Sequence, residues 1–134
     1  MGRDLMSKGV IVPKNAQPPI APYSAGIRAG KTIYTSGCGP IDSGGKTVGT
    51  GDVRAQTKSV LDAIKGIVEG GGGTLSDITF NQIFLKDLAD YQAMNEVYKT
   101  YFPIDPPARY CIRADLVRPD WLVEIASIAH VADN

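Results

Sequence analysis

Residues 109–130, RYCIRADLVRPDWLVEIASIAH, alternate in polarity in a way that predicts two β-strands. The first strand is expected over 109–116 and the second over 121–130. One row of the first strand is polar, and its members are Arg109, Cys111, Arg113 and Asp115. Because two arginines and a thiol share one face, that face either meets water or lines a site that holds an anion.

Two amphipathic helices are predicted upstream of these strands. The first begins near Asp52 and ends in the glycines 70–73, and the second begins near Asp87 or Asp90 and stops at Pro103. Further strands and a hairpin turn are expected at 10–12, 24–37, 42–45 and 77–88. This order predicts an α+β fold, a mixed sheet with two helices packed on one face.

Two helices leave one face of such a sheet uncovered. We expect the polar row of the 109–116 strand to lie on that uncovered face, where a second subunit would meet it. An oligomer with sites between its subunits follows as a hypothesis.

The bulk properties of the chain narrow the classes of function. Its 134 residues suit one domain, expected over 1–134 with residues 1–8 as a flexible leader. The formal net charge is zero, which argues against nucleic-acid binding because a basic excess normally supplies the affinity.

The chain has no apolar run of transmembrane length and no apolar core of a secretory signal, so we expect a cytoplasmic protein without membrane partners. Zinc sites in proteins usually combine several histidine and cysteine ligands. The chain has one histidine and two cysteines that form no spacing pattern, so we expect no metal site.

Three residues of the two strands are candidates for chemistry. The rigid fork of Arg109 can pair a carboxylate, although a surface salt bridge is the commoner role of an arginine. Cys111 could act as a nucleophile if a neighbouring cation lowered its pKa, although an inert buried thiol is more common. Glu124 interrupts an apolar strand, where a partly buried carboxyl can act as acid or base; an outward-facing edge residue is the alternative.

Five segments of the chain form a recognisable set: APYSAG at 21–26, YTSG at 34–37, FLKDLADYQAMNEVYKTYF at 84–102, PPARYCI at 106–112 and LVEIASIA at 122–129. Together they resemble the RidA/YjgF family. The resemblance runs from about residue 10 to residue 131. The RutC-type branch, the aminoacrylate deaminases, is resembled more closely still by GGTLSDITFNQIF, YQAMNEVY, PARYCI and LVRPDWLVEIASIAH.

The resemblance implies a chorismate-mutase-like fold and homotrimers with clefts between the subunits. It also implies hydrolysis of reactive enamine or imine acids, such as 3-aminoacrylate or 2-aminoacrylate, to a carbonyl acid and ammonia without a cofactor. By the same resemblance, Arg109 would bind the substrate carboxylate, and Glu124 would orient or deprotonate the attacking water. Further residues that would line the cleft are Tyr23, Ser36, Asn95 and Cys111.

Two positions depart from the family pattern. Cys38 stands where many relatives have glutamine and Ala21 where many have glycine, and both differences could reshape the cleft.

Two other functions remain open. One is an endoribonuclease or translation inhibitor, a label that some relatives carry and against which the neutral charge argues. The other is a non-catalytic trimer that binds carboxylate metabolites or unfolded proteins.

Overall fold

The computed structural model describes residues 8–14 and 19–132, and most of the expected leader over 1–8 lies outside them. Its framework is a sheet with the strand order β1-β2-β3-β6-β4-β5. The strands are β1 (Lys8–Ile11), β2 (Gly26–Ala29), β3 (Thr32–Thr35), β4 (Ile78–Leu85), β5 (Ala108–Arg113) and β6 (Val123–His130). The β4–β5 pair is parallel and the other pairs are antiparallel. The predicted mixed sheet and α+β class are therefore confirmed, with β5 and β6 shorter than the expected 109–116 and 121–130.

Helix α1 (Val53–Gly70) begins and ends at the signals expected from the sequence. The Asp52 carboxylate accepts a hydrogen bond from the backbone N–H of Ala55 at 3.1 Å, which caps the first turn. Gly72, with φ of 91°, takes the left-handed conformation just after the helix. The apolar stripe of α1 is buried, and its members are Val60, Leu61, Ile64, Ile67 and Val68.

Helix α2 (Tyr91–Tyr101) is shorter and buries Met94 and Tyr98. Asp87 caps the 3-10 turn Leu88–Asp90 that precedes it, since its carboxylate accepts from the backbone N–H of Ala89 at 2.9 Å. None of the helices in the described part of the chain is long and apolar enough to cross a membrane.

The two faces of the sheet differ in their cover. The helices pack on the face that carries Ile83, Leu85 and Ile125, all fully buried. The other face, here called the open face, carries apolar side chains that are exposed or half-buried within the single chain. They are Tyr34, Phe80, Phe84, Tyr110, Ile112 and Ile128.

The expected orientation of the β5 strand is wrong. Arg109 and Cys111 point to the helix-covered face, because they pair with Asn81 and Ile83 of β4, which face α1 and α2. The apolar row of β5 lies on the open face instead. The physical reason is that β5 is an edge strand next to the short α2, where polar groups keep access to water on the helix side.

A β-bulge interrupts the pairing of β3 with β6. Regular pairing ends at Tyr34 and Ile128, and it resumes at the bridge between Cys38 and Ile125, so residues 35–37 oppose residues 126 and 127. The displaced backbone N–H of Ser127 donates to the Thr35 hydroxyl oxygen at 2.8 Å. The bulge turns the Ser-Gly pair that follows β3 away from the ladder.

Candidate functional site

Arg109 is held in place by residues of α2. Its Nη2 donates to Asn95 Oδ1 at 2.7 Å and to the Tyr91 hydroxyl at 3.2 Å. The guanidinium carbon lies 4.7 Å from the centroid of the Tyr98 ring and 5.7 Å from that of the Tyr91 ring. These contacts fix the plane of the guanidinium while leaving other N–H groups free to donate.

The charge of Arg109 has no carboxylate partner in the described part of the chain, and its Nη1 is buried without a hydrogen-bond acceptor. A buried donor without an acceptor costs about 1–3 kcal/mol. An anion that accepts hydrogen bonds here would therefore gain both charge pairing and the relief of that cost. The arrangement fits a carboxylate-binding group.

Cys111 lies two residues further along the same face and is half-buried. Burial raises the pKa of its thiol, and the charge of Arg109 offsets only part of that rise. Cys38 is buried, and burial raises its pKa to about 12. A raised pKa favours the protonated thiol over the thiolate, which argues against either cysteine as a nucleophile.

Glu124 is half-buried on β6, beside the bulge. A side-chain carbon at Gly37 would lie 2.3 Å from Glu124 Oε2, so only glycine leaves room for this carboxyl. Within residues 8–14 and 19–132 the carboxyl has no ion-pair or hydrogen-bond partner, and burial raises its pKa above the ordinary glutamate value. A carboxyl with a raised pKa suits proton transfer near neutral pH.

Tyr23 and Ser36 line a cavity of about 320 Å³ between the bulge, the segment before β2 and helix α1. The backbone N–H of Ser36 donates to Ala25 O at 2.8 Å, which ties the bulge to that segment. Asp62 of α1 and Trp121 also line the cavity, whereas Glu124 does not. The cavity therefore meets the bulge from the side of α1.

A single chain does not bring all the expected site residues together. Arg109, Asn95 and Cys111 form one group next to α2, since Arg109 donates to Asn95 and shares its face of β5 with Cys111. Glu124 lies on the open face, since its partner Phe84 points opposite to Asn81, the partner of Arg109. Tyr23 and Ser36 form a third group at the cavity.

The contacts of Arg109 with Tyr91 and Tyr98 were not expected from the sequence, because by their spacing both tyrosines belong to the apolar stripe of α2. With Asn95 they stand at steps of four and three residues, which places all three on one helix face. An asparagine between two tyrosines on one face is the signal that could have identified a polar edge to that stripe. The described residues contain no group of three or more His, Cys, Asp or Glu that could hold a metal ion.

Comparison with known proteins places the chain among relatives of one family. The sequence profile of the Endoribonuclease L-PSP family matches residues 13–131. The 3-aminoacrylate deaminase RutC of Acinetobacter baylyi is 51% identical over 126 residues, which cover 94% of this chain and 100% of that protein.

Solved structures agree with the sequence match. The YjgF gene product of E. coli superposes with a TM-score of 0.84 at 34% identity, covering 91% of this chain and 98% of that chain. E. coli TdcF with bound serine superposes with a TM-score of 0.85 at 31% identity, covering 92% of this chain and 99% of that chain. The resemblance inferred from the sequence is thereby confirmed, and the chain belongs to the Endoribonuclease L-PSP family, the RidA/YjgF family of the sequence analysis.

Proposed function

We propose that this protein hydrolyses small enamine or imine acids to a carbonyl acid and ammonia, with 3-aminoacrylate as the foremost substrate and 2-aminoacrylate as the next. The observation that carries the proposal is the Arg109 guanidinium, oriented by α2 and without a carboxylate partner in the described residues. The identity of 51% to a protein named 3-aminoacrylate deaminase supports this substrate class. The reaction needs no cofactor, because each step is a proton transfer, an addition of water or an elimination of ammonia.

The chemistry requires three tasks. The enamine accepts a proton on carbon and becomes an imine, water adds to the imine carbon, and the resulting carbinolamine expels ammonia. Arg109 would bind the carboxylate and fix the reacting carbon, and Glu124 would orient the water or take its proton. Cys111 would form a wall of the pocket, since its raised pKa argues against covalent catalysis.

The same proposal includes a homotrimer with clefts between its subunits. Arg109 and Glu124 face opposite sides of the sheet, so one substrate can meet both groups only where two chains adjoin. The open face supplies a surface for such contact, since Tyr34, Tyr110 and Ile112 are 47%, 42% and 48% exposed. Exposed apolar patches of this kind mark protein–protein contacts. Tyr23 and Ser36 would line the cleft on the α1 side of Gly37, the residue that lies against Glu124.

The test is ammonia release from 3-aminoacrylate generated in the assay. Arg109→Ala should lose activity by about a hundredfold or more, because an oriented charge pair is removed from the substrate. Arg113→Ala is the matched control, since Arg113 is exposed on the same face of the same strand. Full turnover by Arg109→Ala would contradict the mechanism, and binding of a keto acid without any turnover would favour a non-catalytic carboxylate-binding or chaperone-like trimer.

An endoribonuclease or translation inhibitor is the second candidate, and the description of the matched family favours it. The charge balance argues against it, because the chain has equal numbers of basic and acidic residues. His130, the one histidine, lies exposed at the end of β6. Cleavage of RNA that persists through repurification and disappears in Arg109→Ala would support this second function.

A further inference from the structure

A row of polar side chains crosses the helix-covered face of the sheet, where its neighbours are apolar. Asn81 of β4 and Ser127 of β6 are paired across the strands and are 0% and 2% exposed. The next helix-facing positions along both strands are apolar and buried: Ile83, Leu85, Val123, Ile125 and Ala129. The row continues to Arg109, which pairs with Asn81 on β5, and to Thr35 on β3.

Hydrogen bonds connect Thr35, Ser127 and Asn81 of this row with Tyr98 of α2. The Ser127 hydroxyl donates to Asn81 Oδ1 at 2.5 Å, and Asn81 Nδ2 donates to the Tyr98 hydroxyl at 2.8 Å. At the other end, Ser127 N–H donates to Thr35 Oγ1, and the Thr35 hydroxyl donates to Ser36 O at 2.9 Å. The chain of contacts therefore runs from the bulge to the ring that lies under Arg109.

Filling the core does not explain these residues. Buried polar groups cost free energy unless every one is bonded, and apolar side chains of the same shape would fill the space without that requirement. Tyr98 is 5% exposed and packs against Phe102, and its ring is the nearer of the two aromatic rings below the guanidinium. What the hydrogen bonds add is a fixed position for that ring.

We propose that Asn81 and Tyr98 are positioning residues for the carboxylate-binding Arg109. Asn81 fixes the Tyr98 hydroxyl, the ring supports one side of the guanidinium, and Asn95 holds its Nη2. The guanidinium then meets a carboxylate without a further loss of side-chain freedom. This inference rests on the proposed function for the identity of the anion, a small carboxylate.

The test replaces the bonded groups by apolar ones in two variants. Tyr98→Phe removes one hydroxyl and keeps the ring. The triple variant Asn81→Leu, Tyr98→Phe, Ser127→Ala removes the bonded side-chain groups together, so that no partner is left buried and unpaired. Thr57→Val is the matched control, because Thr57 is 0% exposed and its hydroxyl bonds only Val53 O, at 2.7 Å within α1.

Affinity is measured by calorimetry with pyruvate, a keto acid that cannot release ammonia, and with pyruvamide, which lacks the charge. We expect pyruvate to bind about tenfold more weakly to Tyr98→Phe and to the triple variant, because the Arg109 guanidinium would no longer be held in position for the carboxylate. Pyruvamide affinity should stay unchanged, and the control should bind both compounds as the wild type does. In turnover, KM should rise more than kcat falls.

Pyruvate affinity equal to that of the wild type in Tyr98→Phe would overturn the proposal, as would an equal loss for pyruvate and pyruvamide. Should the triple variant fail to fold, Tyr98→Phe still decides the question. A wild-type chain that binds pyruvate but releases no ammonia from an enamine would contradict the proposed function alone. A wild-type chain that does not bind pyruvate would overturn the carboxylate clamp and this inference with it.

Discussion

At the scale of single residues, Glu124 is a half-buried carboxyl whose pKa depends on the fold around it. Its place beside Gly37 removes water from it, and burial raises its pKa. The folded state therefore binds the proton of Glu124 more tightly than the unfolded state does. Stability from this group is present at low pH and is lost as the pH rises through the raised pKa of the folded state.

Glu124→Gln should separate catalysis from stability. We expect kcat to fall by about 10²- to 10⁴-fold, the usual contribution of an acid–base group. The melting temperature of the variant should exceed that of the wild type at pH 8, and this difference should shrink toward pH 4 as Glu124 takes up its proton. In the wild type, kcat/KM should fall on the acid side at a pH above the ordinary glutamate range.

The measurements are ammonia release and thermal unfolding between pH 4 and pH 9. Asp115→Asn serves as the control, because it removes an exposed carboxyl two residues beyond β5. A variant with normal kcat would exclude Glu124 from proton transfer, even if its stability changes as expected.

At the level of elements, periodicity predicted the helices and most strands because each follows from local burial. The apolar residues from Val60 to Val68 share one face only if the segment is a helix, and Asp52 caps the start of that helix. The side to which β5 turns its polar row was beyond such reasoning. Alternation shows that Arg109 and Tyr110 face opposite ways, but which of them faces the helices depends on the register with β4 and on α2.

The same limit applies to the site. The alternation of β5 placed Arg109 and Cys111 on one face, whereas the contact of Arg109 with Asn95 depends on how α2 packs. The bulge that turns Ser36 out of the ladder has no local sequence pattern. Arg109 and Glu124 lie on opposite faces of the sheet because of how β5 and β6 pair with β4. The periodicity of one segment does not reveal the register between distant strands.

Gln56 of α1 ties the start of β6 to the helix layer. It is 0% exposed, its Nε2 donates to Asp120 O at 3.0 Å, and its Oε1 accepts from Leu122 N–H at 2.7 Å. Gln56→Ala leaves both backbone groups without a partner, so unfolding should become easier by about 2–3 kcal/mol. Because Leu122 precedes the strand of Glu124, kcat should fall about tenfold.

Urea unfolding and ammonia release measure the two effects. Asp52→Ala is the comparison, since loss of a helix cap costs about 1 kcal/mol and leaves the start of β6 in place. If Gln56→Ala lowers stability but leaves kcat normal, the hydrogen bonds of Gln56 to the start of β6 do not affect catalysis.

For the whole molecule, the open face is the surface on which contact between chains is expected. Ile112→Glu puts a charge on the β5 edge of that face and should keep the chains apart, with loss of activity. Val117→Glu is the control, because Val117 is 79% exposed in the loop after β5. Light scattering gives the oligomer mass, and an active Ile112→Glu monomer would contradict a site between subunits.

Mixing two inactive variants tests directly whether one site uses two chains. Arg109→Ala retains a native Glu124, and Glu124→Gln retains a native Arg109. If each cleft takes Arg109 from one chain and Glu124 from its neighbour, a mixed trimer contains some native clefts. After unfolding and refolding the two variants together in equal amounts, random assembly should restore about a quarter of the wild-type activity. Each variant refolded alone should remain inactive, and a mixture that also stays inactive would place both groups in a site built by one chain.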